Sequence, residues 1–72
     1  MATLKSHNDE FNCQWASDVE FDGLRLEVLT NQGDVLFDVS LPRGGIVTIN
    51  TFSNDVPATL IASALDVARE RH

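Results

Sequence analysis

Cysteine is almost absent: Cys13 stands alone among 72 residues, so no intrachain disulfide can brace the fold. One cysteine and two histidines, His7 and His72, give too few soft ligands at useful spacing for a structural zinc site. Basic residues are scarce as well, five against eleven acidic, for a formal net charge of −6. A chain of that sign repels phosphate backbones, which argues against nucleic acid as a partner. Long apolar runs are missing: none approaches the ~20 residues of a membrane span. The first ten residues, Met1 to Glu10, lack the hydrophobic core of a signal peptide. Together with the lone cysteine, these absences lead us to expect a cytoplasmic location and no membrane partner.

What is present is organised around the stretch from Leu24 to Leu41. Leu24, Leu26 and Val28 alternate with Arg25 and Glu27, and Val35, Phe37, Val39 and Leu41 alternate with Leu36, Asp38 and Ser40. Period-two alternation marks strands with one buried face. The cluster Asn31-Gln32-Gly33-Asp34 between them is turn-rich. Pairing Val28 with Phe37, Leu26 with Val39 and Leu24 with Leu41 sets every inner apolar residue against another. A slip of one residue would set Glu27 against Phe37. This register predicts a two-residue tip at Gln32-Gly33, with a turn that bulges at Gly33 as the competing form. It also sets Leu29 opposite Leu36, and Glu27 opposite Asp38, on the outer face.

Residues 1–10 are polar and read as a mobile tail, leaving 11–72 as a single domain. Phe11, Cys13 and Trp15 alternate as in a short strand. Phe11 and Trp15 are also four apart, and Ser6 with Asp9 resembles a capping pair for a short helix. The weak helix formers Asn8, Asn12 and Cys13 favour the strand. Val19 and Phe21 have the opposite parity to Leu24, Leu26 and Val28, so a bulge at Gly23 would let both sets face inward from a strand beginning near Val19. Pro42-Arg43-Gly44-Gly45 ends the second long strand. Residues 46–52 are β-branched and aromatic-rich. Val47 and Ile49 are assigned to the core face, which leaves Phe52 outside near Leu36.

Asn54 or Asp55 then caps a helix with Pro57 in its first turn. Leu60, Ile61, Ala64, Leu65 and Ala68 form its apolar stripe, and the helix is expected to run from about Pro57 to Arg69. The expected fold is therefore α+β and two-layered. A three-stranded antiparallel meander, with a possible fourth short N-terminal strand, packs on one C-terminal helix in the order βββα.

No residue set calls for catalysis, so an enzyme is not the favoured reading. Cys13 has acidic and amide neighbours rather than the basic ones that activate a thiol. His7 and His72 lie near the ends of the chain, where precise geometry is rare. Asp9, Glu10, Asp18, Glu20 and Asp22 lack the glycine and terminal glutamate of a calcium loop. Pro42–Gly45 precedes a strand, whereas a phosphate loop opens into a helix. No cofactor and no metal are expected.

The feature that stands out is an outer apolar patch of Leu29, Leu36 and Phe52, which reads as an interface. The competing reading folds the N-terminal segment over it, using Phe11 and Trp15. A domain this small often gains stability from a partner subunit. The favoured expectation is a homodimeric interaction or regulatory module, with room for another protein partner. One alternative is an acidic decoy for a basic protein surface. Another is a subunit or enzyme whose site forms only at a dimer interface.

Overall fold

The computed structural model describes residues 2–6, 9–18 and 21–71. Strands β1 (Ala2–Ser6), β2 (Asp9–Asp18), β3 (Phe21–Leu29), β4 (Val35–Pro42) and β5 (Thr48–Asn50) precede helix α1 (Ala58–Arg71). The strands form one antiparallel sheet in chain order, β1-β2-β3-β4-β5. The α+β class and the strands-then-helix order are those expected. Beyond the expected three-stranded meander the sheet carries β2, where a possible fourth short strand was read at Phe11 to Trp15, and a fifth strand, β1.

Both additions lie at the N-terminus. Within residues 1–10, read as a tail, residues 2–6 form β1 and residues 9–10 open β2. The reason is pairing. Leu4 lies opposite Phe11 and is buried, while Lys5 lies opposite Glu10 with complementary charge. The alternation of Phe11, Cys13 and Trp15 belongs to a ten-residue strand, so the short-helix alternative is not formed. Val19, the expected start of the next strand, lies outside the described residues. β3 is described from Phe21.

The buried face of the sheet is continuous across strands. Cys13, Val28 and Phe37 form one row, and Trp15, Leu26, Val39 and Ile49 the next. Val28 pairs with Phe37, Leu26 with Val39 and Leu24 with Leu41, the register read from the sequence. Against these rows lie Leu60, Ala64 and Ala68, one residue every four along α1 and all buried. Small alanines let the helix axis approach the sheet closely. The Ser63 hydroxyl, 3.2 Å from the Lys5 carbonyl oxygen and 3.1 Å from that of Thr59, adds a polar tie to β1.

The hairpin tip differs from the two-residue expectation. Asn31-Gln32-Gly33 is a three-residue loop. The Gly33 N–H donates to the Thr30 carbonyl at 2.9 Å, and the Thr30 N–H donates to that of Asp34 at 2.8 Å. Gly33 has φ of 89°, the positive value that glycine tolerates and that the competing turn requires. The loop thus takes one more residue from the β3 side, and Leu29 pairs with Val35 rather than Leu36. A bulge follows at once. Leu36 is the extra residue, and Val28 returns to Phe37. The apolar rows beyond it stay inward.

A second irregularity lies where the sequence placed one. Ser17 pairs with Leu24 but Asp18 with Phe21, so two residues, Asp22 and Gly23, are extra on the β3 side. A Cβ at Gly23 would collide with the Leu41 carbonyl oxygen and lie 2.8 Å from the Pro42 Cα. Only glycine lets β4 approach here.

The helix begins at Ala58, within one residue of the expected start, but the Asn54 cap is not formed. The first helical amides, Leu60 and Ile61, donate to the Pro57 carbonyl. Asn54 does not cap: its side-chain amide donates to the Leu36 carbonyl at 2.9 Å and ties the β5–α1 connection to the bulge.

Candidate functional site

Two surfaces merit a functional reading, and neither holds a catalytic constellation. Among the described residues no three of His, Cys, Asp and Glu are placed to hold a metal ion. No helix among them is long and apolar enough to cross a membrane. Cys13 is fully buried in the core, and burial pushes its thiol pKa up, away from the thiolate a nucleophile needs.

The first surface is the sheet face turned away from α1. Gln14, Glu27, Asp38 and Asn50 form a cross-strand row, flanked by Arg25, Ser40 and Thr48. The Gln14 amide donates to a Glu27 carboxylate oxygen at 2.7 Å. Asp38 is only 6% exposed. Burial raises its pKa, the Arg25 charge opposes that shift, Glu27 adds to it, and a hydrogen bond with the Ser40 side chain lowers it again. No described side chain here is both buried and unpartnered. Within the row the Gln14–Glu27 hydrogen bond links β2 to β3 across the ladder.

The second surface is the β5 edge. β5 ends the sheet, so among the described residues one side of its backbone has no neighbouring strand. The large hydrophobic residues exposed among those described all flank it: Ile46 at 84%, Val47 at 38% and Phe52 at 50%. Phe52 and Ser53 both take positive φ, 53° and 66°, which is unusual for residues with side chains. The turn is held by the Phe52 N–H on the Asn50 side-chain oxygen at 3.0 Å and the Asn54 N–H on the Thr51 carbonyl at 2.9 Å. Behind β5, on the helix side, lies a cleft of about 350 Å³ lined by Leu41, Val47, Ile49, Leu65, Ala68 and Arg69. Helix α1 packs over β1, β3 and β4 and stops short of β5, which leaves this space open.

The three residues read as an interface differ in exposure. Leu29 is 8% exposed, and Leu36, swung by its bulge, packs partly buried against the core cluster. Phe52 alone remains exposed. The competing cover is not formed either, because Phe11 and Trp15 pack against the core on the helix side. Ile46 and Val47 were missing from the expected patch. Their signal was visible as two apolar residues directly after a glycine pair, ahead of a strand too short to bury both. No protein-family model, curated protein or solved structure matches the chain.

Proposed function

We propose that this chain is a small interaction module that works as a homodimer, pairing along the free edge of β5. What supports this reading is the concentration of exposed large hydrophobic residues within positions 46–52, around a strand with one open backbone edge. Such an edge is a template for another strand, and charged side chains are one of the usual means of blunting it. Residues 46–54 carry no charge at all. An antiparallel β5–β5 contact about a two-fold axis uses one patch twice, the commonest arrangement for a homo-oligomer. Ile46 and Phe52 of each copy then lose contact with water at about 25 cal/mol per Å² of apolar surface, offset in part by the entropy of association. The interface is centred on Ile46, Val47 and Phe52; Leu29 and Leu36 are covered within the chain. A lone, buried cysteine suits a reducing compartment such as the cytoplasm.

Sedimentation equilibrium tests the dimer. The wild type is expected to dimerise at about 100 µM, well above the ~1 µM dissociation constant that corresponds to about −8 kcal/mol. Ile46→Lys with Phe52→Lys should be monomeric with unchanged circular dichroism, since both side chains already face solvent. A monomeric wild type, or a dimer that survives both lysines, rejects the proposal. The acidic decoy reading draws on the net charge of −6. It differs in requiring partner binding that weakens steeply with salt.

A further inference from the structure

We propose that the cleft between β5 and the C-terminal half of α1 binds a small amphipathic carboxylate, with an apolar chain of about eight carbons in the cleft and its head group at Arg69. The walls come from three elements: Leu41 of β4, Val47 and Ile49 at β5, and Leu65 and Ala68 of α1. All five are apolar, and Arg69 is the single charged lining residue among those described. Its aliphatic stem can wall the cleft while the guanidinium stays in water, the usual behaviour of a long cationic side chain. A volume of about 350 Å³ is small for a ligand site. At about 30 Å³ per water-sized atom it accommodates on the order of ten non-hydrogen atoms. That suits a medium-chain fatty acid.

Charge selects the head group. Guanidinium forks match carboxylates in a bidentate geometry. The chain as a whole carries −6, and Asp66 stands beside the cleft with its carboxylate 3.5 Å from Arg69. Both disfavour a polyanion, so a monoanion fits better than a phosphate ester. The Arg69–Asp66 pair does not block the site. Both side chains are 76% exposed, and such surface pairs are weak and exchange readily. An apolar chain without a head group would leave Arg69 unused, which sets the comparison for the test. The cleft meets the proposed dimer edge at Val47; its other walls are side chains on the helix side, whereas the dimer pairs the backbone of β5 in the plane of the sheet.

The test is a two-dimensional amide NMR titration of the full chain with octanoate and, separately, with 1-octanol. Octanoate should give saturable shifts gathered at residues 41, 47–49 and 65–69, and should bind about tenfold more tightly than octanol, the scale of one charge-assisted contact. Arg69→Gln should reduce octanoate affinity to that of octanol. Asp66→Asn, which frees the guanidinium, should raise it. Both positions are exposed, so neither change endangers folding. Absence of saturable shifts at about 10 mM, shifts scattered over the sheet, equal affinity for acid and alcohol, or an Arg69→Gln variant that binds octanoate as well as the wild type would each overturn the assignment.

Discussion

Asp38 lies on the sheet face away from the helix, yet it is buried beneath its own neighbours Arg25, Glu27 and Ser40. Its pKa is raised above the ordinary carboxylate value, chiefly by burial. The folded state therefore holds the proton more tightly than the unfolded chain. Between the ordinary pKa and the raised one, its contribution to stability falls as pH rises, and above the raised value the full cost of the buried charge is present. Asp38→Asn removes that titration. Denaturant midpoints of both proteins at about pH 4, near the ordinary value, and at neutral pH should show the variant gaining on the wild type as pH increases. A pH-independent gap rejects the account. Cys13 offers a second residue-scale check. Fully buried and held as the neutral thiol, it should be inert to an aromatic disulfide reagent in native buffer and react only as guanidinium unfolds the chain. Rapid labelling of the native protein would contradict its place in the core.

Among the elements, β3, β4 and the helix were legible in the sequence because their apolar residues keep a period, whereas β2, the longest strand, was read only as a short strand around Phe11 to Trp15. Leu24 to Val28 and Val35 to Leu41 show period two, and Leu60, Ala64 and Ala68 show period four. β1 was not legible, because Leu4 is its only large apolar residue in the described interior. What makes it a strand is the backbone ladder with β2, and that is invisible to hydrophobic patterning. The β5 edge was read only in part for a related reason. Parity placed Ile49 against the core as expected, but Val47, assigned to the same core face, is exposed at 38%, because nothing local revealed that α1 would stop short of it. The turn after β5 yields a prediction of its own. Ser53 is held at a φ of 66°, a region that costs a residue with a side chain about 1–2 kcal/mol. Glycine there avoids the cost but adds flexibility to the unfolded chain. Ser53→Gly should stabilise the protein by about 0.5–1 kcal/mol, read as a higher urea midpoint. A lower midpoint would mean that the Ser53 side chain makes a contact worth more than the strain.

For the whole molecule, charge and topology separate two questions. The net charge of −6 and a sheet face carrying Glu27 and Asp38 beside Arg25 predict no binding to duplex DNA or RNA at about 0.15 M salt, where charges are screened beyond roughly 8 Å. Fluorescence anisotropy with a labelled duplex checks this, and a micromolar dissociation constant at that salt would refute it. Topology bears instead on how the chain tolerates changes of length. A meander joins only neighbours, so a residue gained or lost in one hairpin normally turns every later side chain of that strand to the wrong face. The β3–β4 hairpin holds a spare link. Because Leu36 has no partner of its own across the ladder, removing it should close the bulge into a regular pairing and leave Val28 opposite Phe37. Its partly buried packing would be lost, but every row from Phe37 onward would stay in place. Removing Ser40, in the regular part of the same strand, turns Leu41 toward solvent and should unfold the chain. Cross-strand NOEs between Val28 and Phe37 in the first deletion, and their loss in the second, would show that this hairpin carries one insertable and deletable position, and that evolution could lengthen or shorten it there without rewriting the core.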